Sequence, residues 1–227
     1  MIPHLLLASQ SPRRRELIQL LGYPFSVRSA DVDEGSVMQP DPAVNVVQTA
    51  ELKAQSIAAQ GRIQPEATVI VAADTTVALE QEMLGKPKDK LEAVRMLSAL
   101  RGRRHEVHTG VVLLEVSSGR LIKGVHTAVV TMRAYSDDEI TAYVATGDPL
   151  DKAGAYAIQH PQFQPVSYLE GCYLGVMGLS ICHLIELLAK LGMQRLAELP
   201  AIHQAHRGYP CPILGRTAQI QSGQMRA

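Results

Sequence analysis

The chain has 227 residues, a length that fits one domain or one domain built from two lobes. Hydrophobic residues make up 46% of it and charged residues 19%, which excludes a chain that is disordered along its whole length. The 22 basic and 22 acidic residues cancel, so the chain lacks the excess of positive charge typical of a general binder of nucleic acids or anionic membranes.

Strand and helix signals alternate through the first half of the chain. Ser or Asp followed by proline opens two helices, and glycine ends each of them. The β-branched run TVIVA predicts a central strand that is buried on both faces. In chain order, the predicted elements are a strand at residues 5–7, a helix over residues 11–22, a helix over residues 41–61, a strand at residues 68–72 and a helix that opens at Asp89.

The second half combines a hairpin with further helices. Two β-rich runs flank residues 117–119 and predict a long hairpin over residues 105–133. Ser136 and Glu139 form a capping box at the start of a short helix, and an apolar stripe over residues 181–191 predicts an amphipathic helix. Because strand–helix alternation coexists with an antiparallel hairpin, we expect an α/β fold with a mixed sheet.

The composition changes beyond residue 195. Residues 200–227 contain His, Pro, Gly and Gln without helical or strand periodicity. We therefore expect one domain over residues 1–195 and a loosely ordered C-terminal tail over residues 196–227. His203 and His206 in this tail match a metal motif of low specificity only.

The cysteines and the N-terminus indicate the compartment. None of the 3 cysteines, Cys172, Cys182 and Cys211, forms a CxxC pair, which argues against a disulfide framework and a structural zinc site and suits a reducing compartment. No apolar run approaches the ~20 residues that a bilayer span requires. The apolar run at residues 5–8 precedes the first arginines, the reverse of the order in a signal peptide. The sequence predicts a cytoplasmic protein without a membrane or nucleic-acid partner.

The segment from Ser9 to Arg15 is a candidate phosphate site. It lies where a strand ends and a helix begins, and the free N–H groups and the dipole of a helix start attract anions. Arginine adds a planar fork that suits bidentate contact with phosphate. The alternative is an ordinary capped helix whose basic first turn is solvated.

Two acidic segments are candidates for metal binding or proton transfer. Asp74 and Thr75 follow the strand predicted at residues 68–72, and ligands of open α/β sheets bind beyond the carboxyl ends of strands. A carboxylate there can hold a divalent cation or accept a proton. Residues 31–34 crowd three carboxylates together, including Glu34, and such hard oxygen ligands suit Mg²⁺ or Mn²⁺. The alternatives are a turn-forming aspartate and an exposed acidic loop.

Three lysines are candidate phosphate ligands. Lys53 lies in the second predicted helix, Lys86 in the rigid turn Gly-Lys-Pro, and Lys152 in the segment Asp-Lys-Ala-Gly. Each ammonium could meet a phosphate as a point charge, or each could be an ordinary surface lysine. The glycine motifs of P-loop and Rossmann proteins do not occur in the sequence.

Short motifs stand in a definite order between residues 3 and 192. In chain order they read SQSPRR, VDE, KA, ADT, GKP, HTGV, DKAGAYAIQ, EG and GL. This series closely resembles that of the Maf family of nucleoside triphosphate pyrophosphatases, and its SxSPRR and DKAGAYxIQ elements are specific. The resemblance implies an α/β fold with a mixed, twisted sheet flanked by helices and with two lobes around a cleft.

The resemblance also implies a reaction. Maf proteins hydrolyse a nucleoside triphosphate to the monophosphate and pyrophosphate with a divalent metal, so Mg²⁺ or Mn²⁺ is the expected cofactor and a nucleoside triphosphate is the expected partner. A homodimer is left open. Two alternatives remain: a regulator of cell division and septum formation that binds nucleotides without turnover, and a pyrophosphatase for modified purine nucleotides.

The functional residues of the family carry over by motif. Its general base is the aspartate of ADT, which is Asp74 here, and the metal is expected at Glu34 and Asp74. In the branch that acts on dTTP and UTP, substrate choice is associated with the residues that correspond to Arg13, Thr75 and Gln159, so this chain resembles the pyrimidine branch. The expected substrate-binding residues are Ser9, Arg13, Lys53, Thr75, Lys86 and Gln159.

Overall fold

The computed structural model of the chain describes residues 2–61, 63, 68–193 and 198–216. The strands are β1 (His4–Leu7), β2 (Phe25–Val27), β3 (Thr68–Leu79), β4 (Glu82–Leu84), β5 (Arg104–Glu115), β6 (Leu121–Met132) and β7 (Val166–Glu170). The helices are α1 (Pro12–Gln19), α2 (Pro42–Ala59), α3 (Lys90–Leu100), α4 (Asp137–Ala145), α5 (Tyr173–Val176), α6 (Ile181–Lys190) and α7 (Leu199–Ala205). None of the helices in the described ranges has the length and apolar character needed to cross a bilayer.

Seven strands of the described chain form one mixed sheet in the order β2-β1-β3-β5-β6-β7, and β4 pairs with the end of β3. Strand β1 runs parallel to both β2 and β3, whereas the other pairs are antiparallel. The predicted α/β fold with a mixed sheet flanked by helices is confirmed, including the β5–β6 hairpin and the helices α1, α2, α3, α4 and α6. The sequence missed the short elements β2, β4, β7, α5 and α7.

The two faces of the sheet pack against different helices, because successive residues of a strand point to opposite sides. Leu6, Ile70 and Ala72 pack against α2 on one face. Leu5 and Val71 belong to the larger core on the other face, which α1, α3, α4 and α6 cover. Burial on both faces explains why the central strands read as continuous apolar runs.

Helix α2 lies directly on the sheet because Gly110 of β5 has no side chain. A Cβ at Gly110 would lie 2.6 Å from the backbone of Val46, so a larger residue there would push α2 away. Lys53 follows Val46 by two helical turns and therefore lies on the same face of α2. This face directs the Lys53 side chain toward β3.

Strand β3 is longer than the sequence predicts and contains Asp74 and Thr75. It continues past residue 72 because β5 pairs with it along its length, with Asp74 opposite Gly110 and Thr75 opposite Thr109. The prediction that these two residues follow a strand is therefore wrong. Their side chains are held inside a paired strand, which fixes their position more firmly than a turn would.

The described part of the C-terminal segment packs on the domain. Residues 198–216 include α7, and Ile202, His206 and Ile213 in this segment are buried. The segment is more closely packed than the predicted loosely ordered tail, because a few apolar side chains reach the core without regular spacing. The rest of that prediction falls on residues 194–197 and 217–227, which lie outside the described residues.

Candidate active site

One cleft with a volume of about 620 Å³ brings together all of the predicted site residues. Those in its wall are Ser9, Arg13, Glu34, Lys53, Asp74, Thr75, Lys86 and Gln159. Among the described residues, the wall carries five cationic side chains against three carboxylates. The cleft is therefore locally positive in a chain whose formal charge is zero, and such a concentration of charge attracts polyanionic ligands.

Lys53 lies between two carboxylates of the cleft wall, those of Glu34 and Asp74. Its Nζ lies 2.7 Å from Asp74 Oδ1 and 2.8 Å from Glu34 Oε1. The Lys53 side chain is only 7% exposed, and an ammonium that is buried to this extent needs nearby negative charge. Each carboxylate still has further lone pairs for other partners, because Lys53 engages one oxygen of each.

Glu34 reaches the cleft from a short 3-10 turn over Glu34–Ser36 that Asp33 caps. Burial acts to raise the pKa of Glu34, but the ammonium of Lys53, helped by Lys86, outweighs burial and holds this pKa below its ordinary value. Of the acidic run at residues 31–34, only Glu34 lines the cleft. Its carboxylate is therefore anionic at neutral pH and is positioned by a turn.

The two arginines at the start of α1 have different surroundings. Arg13 Nη1 lies 3.2 Å from Asp151 Oδ2 at the edge of the cleft. Arg14 Nε donates to the carbonyl oxygen of Gly178 at 2.8 Å, and its Nη2 donates to Thr75 Oγ1 at 3.2 Å. Sequence reasoning selected Arg13 and missed Arg14, which is the more firmly held of the two.

The helical spacing contains a signal for Arg14. This residue precedes Leu17 and Ile18, the buried residues of α1, by three and four positions and therefore shares their face. Burial lowers the pKa of Arg14, whereas Asp74 and Glu34 act in the opposite direction. The guanidinium stays charged because arginine does not lose its proton in proteins.

Thr75 is already hydrogen-bonded within the wall of the cleft. Its Oγ1 accepts from Arg14 and lies 3.0 Å from Thr109 Oγ1, which in turn donates to the carbonyl of Gly175 at 2.8 Å. These bonds connect β3 and β5 to the segment that ends at Gly178. Thr75 therefore positions Arg14 and this segment, and its predicted contact with a nucleobase stays a prediction.

Lys86 and Lys152 both line the cleft but differ in their partners. Lys152 is buried, and its Nζ lies 2.9 Å from Asp148 Oδ1 and 2.6 Å from Asp151 Oδ1. These aspartates neutralise Lys152, and Asp151 in turn contacts Arg13. Lys86 is exposed in the wall, where a bound anion can reach it.

Gln159 lies in the wall beyond the short 3-10 turn Ala153–Ala155. Gly154 in that turn has φ +66° and lies against Val77, so the turn requires glycine. The backbone carbonyl of Gln159 accepts a hydrogen bond from Arg207 Nη1 at 3.4 Å. The C-terminal segment thus contacts the backbone of the residue that the sequence predicts to select the base.

The donor set of the two carboxylates fits a divalent cation that is shared with a ligand. Glu34 and Asp74 lie on either side of the Lys53 ammonium, which contacts one oxygen of each and leaves the other oxygens for further partners. Mg²⁺ is typically bound through one or two carboxylates together with water and substrate phosphates. In the ranges that the structure describes, no third His, Cys, Asp or Glu completes a metal-binding group with these two.

Comparisons with known proteins find a family and several relatives that match most of the chain. A family model described as "Maf-like protein" matches residues 4–191. A dTTP/UTP pyrophosphatase of Moorella thermoacetica is 44% identical over 191 residues, which cover 83% of this chain and 95% of that protein. A dTTP/UTP pyrophosphatase of Dictyoglomus turgidum is 40% identical over 193 residues, which cover 85% of this chain and 98% of that protein. The match to the family model includes every residue of the cleft wall and ends before the described segment 198–216.

Proposed function

The chain belongs to the Maf-like family, and we propose that it is a nucleoside triphosphate pyrophosphatase that hydrolyses dTTP and UTP to the monophosphate and pyrophosphate. The observation that carries this proposal is the Lys53 ammonium between Glu34 and Asp74 in a cleft with an excess of cationic groups. Relatives that carry the name dTTP/UTP pyrophosphatase support the choice of pyrimidine nucleotides.

The cationic groups of the cleft bind and position the triphosphate. A nucleoside triphosphate carries about four negative charges at neutral pH, and Arg13 and Lys86 lie where they can neutralise part of them. Ser9 and the N-terminus of α1 add hydroxyl and backbone donors beside these cations. Lys53 supplies a further ammonium next to the carboxylates that act on the water.

Asp74 is the proposed general base. Cleavage between the α- and β-phosphates requires a water aligned with the α-phosphorus, and Asp74 takes a proton from this water while pyrophosphate leaves toward the cations. Aspartate is by itself a weak base. A divalent cation held by Glu34 and Asp74 would polarise phosphate oxygens and acidify the water. Lys53 keeps both carboxylates oriented, because it binds one oxygen of each.

Gln159 is the proposed reader of the pyrimidine. Its amide offers one donor and one acceptor edge, which suits the carbonyl and N–H groups of thymine or uracil. A site that hydrogen-bonds one base discriminates against another, because the wrong base leaves a polar group unpaired. The Thr75 hydroxyl accepts a hydrogen bond from the Arg14 guanidinium, and its own contact with the base stays a prediction.

Two further points belong to this proposal. The three cysteines form no disulfide, which supports a reducing, cytoplasmic location. The oligomeric state, including a homodimer, stays open. Neither point alters the chemistry of the cleft.

A pyrophosphate-release assay with a panel of triphosphates tests the proposal. The full chain is incubated with each of the common ribo- and deoxyribonucleoside triphosphates and with inosine triphosphate, in Mg²⁺ or in Mn²⁺, and Asp74→Asn protein serves as the control for contaminating enzymes. We expect dTTP and UTP to give the highest kcat/KM. Absence of pyrophosphate with every nucleotide would contradict the proposed activity, and a preference for inosine triphosphate would assign the chain to modified purines.

A further inference from the structure

Four side chains outside the cleft converge on one point: Cys172, Cys182, His206 and Cys211, here called the Cys3His cluster. Their Sγ and Nε2 atoms all lie within 4.8 Å of one another. Cys172, Cys182 and His206 are buried, and Cys211 is partly buried. None of the four residues lines the cleft.

Three of the six spacings among these atoms are close to the edge lengths of a tetrahedron around a zinc ion, and the other three are no longer than 4.8 Å. With Zn–S near 2.3 Å and Zn–N near 2.0–2.1 Å, tetrahedral ligands lie about 3.8 Å apart for two sulfurs and about 3.5 Å apart for sulfur and nitrogen. The Cys182 and Cys211 sulfurs are 3.8 Å apart. His206 Nε2 lies 3.4 Å from Cys172 Sγ and 3.7 Å from Cys182 Sγ.

The ring of His206 is oriented as a zinc ligand requires. Its Nδ1 lies 2.7 Å from the backbone carbonyl of Ile202, a distance at which Nδ1 donates a proton. This bond selects the tautomer in which Nε2 has a free lone pair, and Nε2 is the atom that faces the sulfurs. A metal-binding histidine commonly donates its other nitrogen to a carbonyl in this way.

Disulfide formation does not account for the arrangement. A disulfide requires sulfurs about 2.05 Å apart, whereas Cys182 and Cys211 are at 3.8 Å and all three cysteines are free. A pair would also leave the third thiol and the oriented histidine without a role. Three thiolates and one neutral imidazole form one of the usual donor sets of structural zinc.

We propose that the Cys3His cluster binds one structural zinc ion. Four protein donors fill the tetrahedron and leave no open position for water, which distinguishes a structural site from a catalytic one. Binding converts the three thiols to thiolates and releases their protons to solvent. The sequence predicts no structural zinc site because it lacks a CxxC pair. The four donors come instead as two pairs, Cys172 with Cys182 and His206 with Cys211, which only folding brings together.

The zinc fastens the C-terminal segment to the family domain. Cys172 and Cys182 lie within the region that matches the Maf-like model, whereas His206 and Cys211 lie beyond its end at residue 191. The Tyr209 ring stacks on the Tyr173 ring of the domain, with centroids 5.0 Å apart, and this adds apolar contact beside the cluster. Metal binding and apolar packing together explain why this segment docks although it has no periodicity.

The same segment reaches the cleft. Arg207 directly follows His206 and donates to the backbone carbonyl of Gln159. On the domain side, the chain runs from Cys172 through α5 to Gly178, whose carbonyl accepts from Arg14 in the cleft wall. The zinc ion therefore stabilises two pieces of backbone that border the nucleotide site without contacting the reacting atoms.

Metal analysis of the full chain tests the proposal. Protein produced in zinc-supplemented culture and dialysed against metal-free buffer is measured by inductively coupled plasma mass spectrometry. We expect about one zinc per chain for the natural sequence, and loss of this zinc in His206→Gln and Cys211→Ser. His203→Gln is the matched control, because His203 is an exposed histidine of α7 three residues before His206, and this variant should keep its zinc.

Cobalt substitution of the natural sequence keeps the test decisive where a variant does not fold. Co²⁺ in a tetrahedral site with thiolate ligands gives strong visible bands and a sulfur-to-metal charge-transfer band. We expect these bands to saturate at one equivalent of Co²⁺ and to disappear when zinc is added. Absence of both zinc and the cobalt spectrum would overturn the proposal. A disulfide between any two of the three cysteines in freshly purified protein, seen by non-reducing peptide mass spectrometry, would also overturn it.

Discussion

The cleft and the Cys3His cluster are two places where carboxylate, thiol or imidazole groups meet, and they differ in how complete each set of candidate metal donors is. In the cleft, which has a volume of about 620 Å³, Glu34 and Asp74 offer two carboxylates, and Lys86 is exposed in the same wall. The cluster offers four donors, three of them buried. An incomplete donor set leaves room for phosphate and water, whereas a complete one excludes them. The difference separates a site for reaction from a site for stability.

The largest expected effect is the loss of turnover in Asp74→Asn. General base catalysis contributes about 10²- to 10⁴-fold to a rate, so pyrophosphate release from dTTP should fall by that factor. Nucleotide binding, followed by calorimetry, should persist because asparagine has nearly the same shape. The zinc content should be unchanged, because Asp74 is not part of the Cys3His cluster. A rate near that of the natural sequence would remove Asp74 from the mechanism.

Lys53→Met tests the central ion pairs of the cleft. Hydrogen bonds to charged groups contribute about 1.5–3 kcal/mol, so kcat/KM for dTTP should fall about 10- to 150-fold. Because Lys53 holds the pKa of Glu34 below its ordinary value, its loss should move the acidic limb of the activity–pH profile to higher pH. Lys88→Met, which changes an exposed lysine outside the cleft wall, should leave both quantities unchanged. An unchanged acidic limb in Lys53→Met would separate Glu34 from the activity.

Removal of zinc should act on stability instead of on the chemical step. A metal present at 100 times its Kd stabilises by about 2.7 kcal/mol, so chelation should lower Tm by about 5–10 °C in a chain of this size. Calorimetric scans with and without a zinc chelator measure this shift, and Cys211→Ser protein should show none. Equal Tm values for chelated and untreated natural protein would mean that the cluster does not stabilise the fold.

Gln159→Ala should change the choice of nucleotide. The loss of one polar contact costs about 1–3 kcal/mol, so the ratio of kcat/KM for dTTP over dCTP should fall about 5- to 150-fold. Gln55→Ala is the control, because Gln55 is an exposed glutamine on α2 outside the cleft wall. The same ratio in Gln159→Ala and in the natural sequence would remove Gln159 from base recognition.

His105 is a buried histidine that belongs to neither region, and it provides the smallest predicted effect. Its Nε2 lies 2.8 Å from Tyr156 Oη, and burial lowers its pKa from 6.5 to about 4. Between these values the unfolded chain binds a proton that the folded chain does not, so stability is full above pH 6.5 and falls toward pH 4. This histidine should account for a decrease of about 1 kcal/mol in the free energy of unfolding between about pH 7 and about pH 5.5. Urea titrations of His105→Gln should show a smaller pH dependence, and an equal dependence would contradict this assignment.

Local signals in the sequence predict much of the fold but little of the pairing. The capping box of Ser136 and Glu139 and the apolar stripe of α6 are confirmed because they depend on neighbours within a few residues. The sequence predicts that Asp74 follows a strand, whereas it lies within β3. The length of β3 depends on pairing with β5, which is distant in sequence, so local signals do not predict it. The sequence does not single out Arg14, because the hydrogen bond that holds its side chain is made to Gly178, which only folding brings to α1.

The cleft and the Cys3His cluster also differ in how far the sequence predicts them. Motif order located the cleft residues, since the series from SPRR to IQ is specific even though each motif alone is ambiguous. The Cys3His cluster has no such order, because Cys172 and Cys182 come from the domain and His206 and Cys211 from the segment beyond it. A short spacing of the HxxxxC type was present in the C-terminal segment, but one pair of donors does not predict where the other pair lies.

Hydrolysis of dTTP in water labelled with oxygen-18 tests the central claim most directly. If the cleft aligns water with the α-phosphorus, the label enters thymidine monophosphate and the released pyrophosphate stays unlabelled. Mass spectrometry of both products after a single round of turnover reads this out. Label in pyrophosphate, or release of orthophosphate in its place, would show that water attacks another phosphorus and would contradict the assignment of Asp74 and its neighbours.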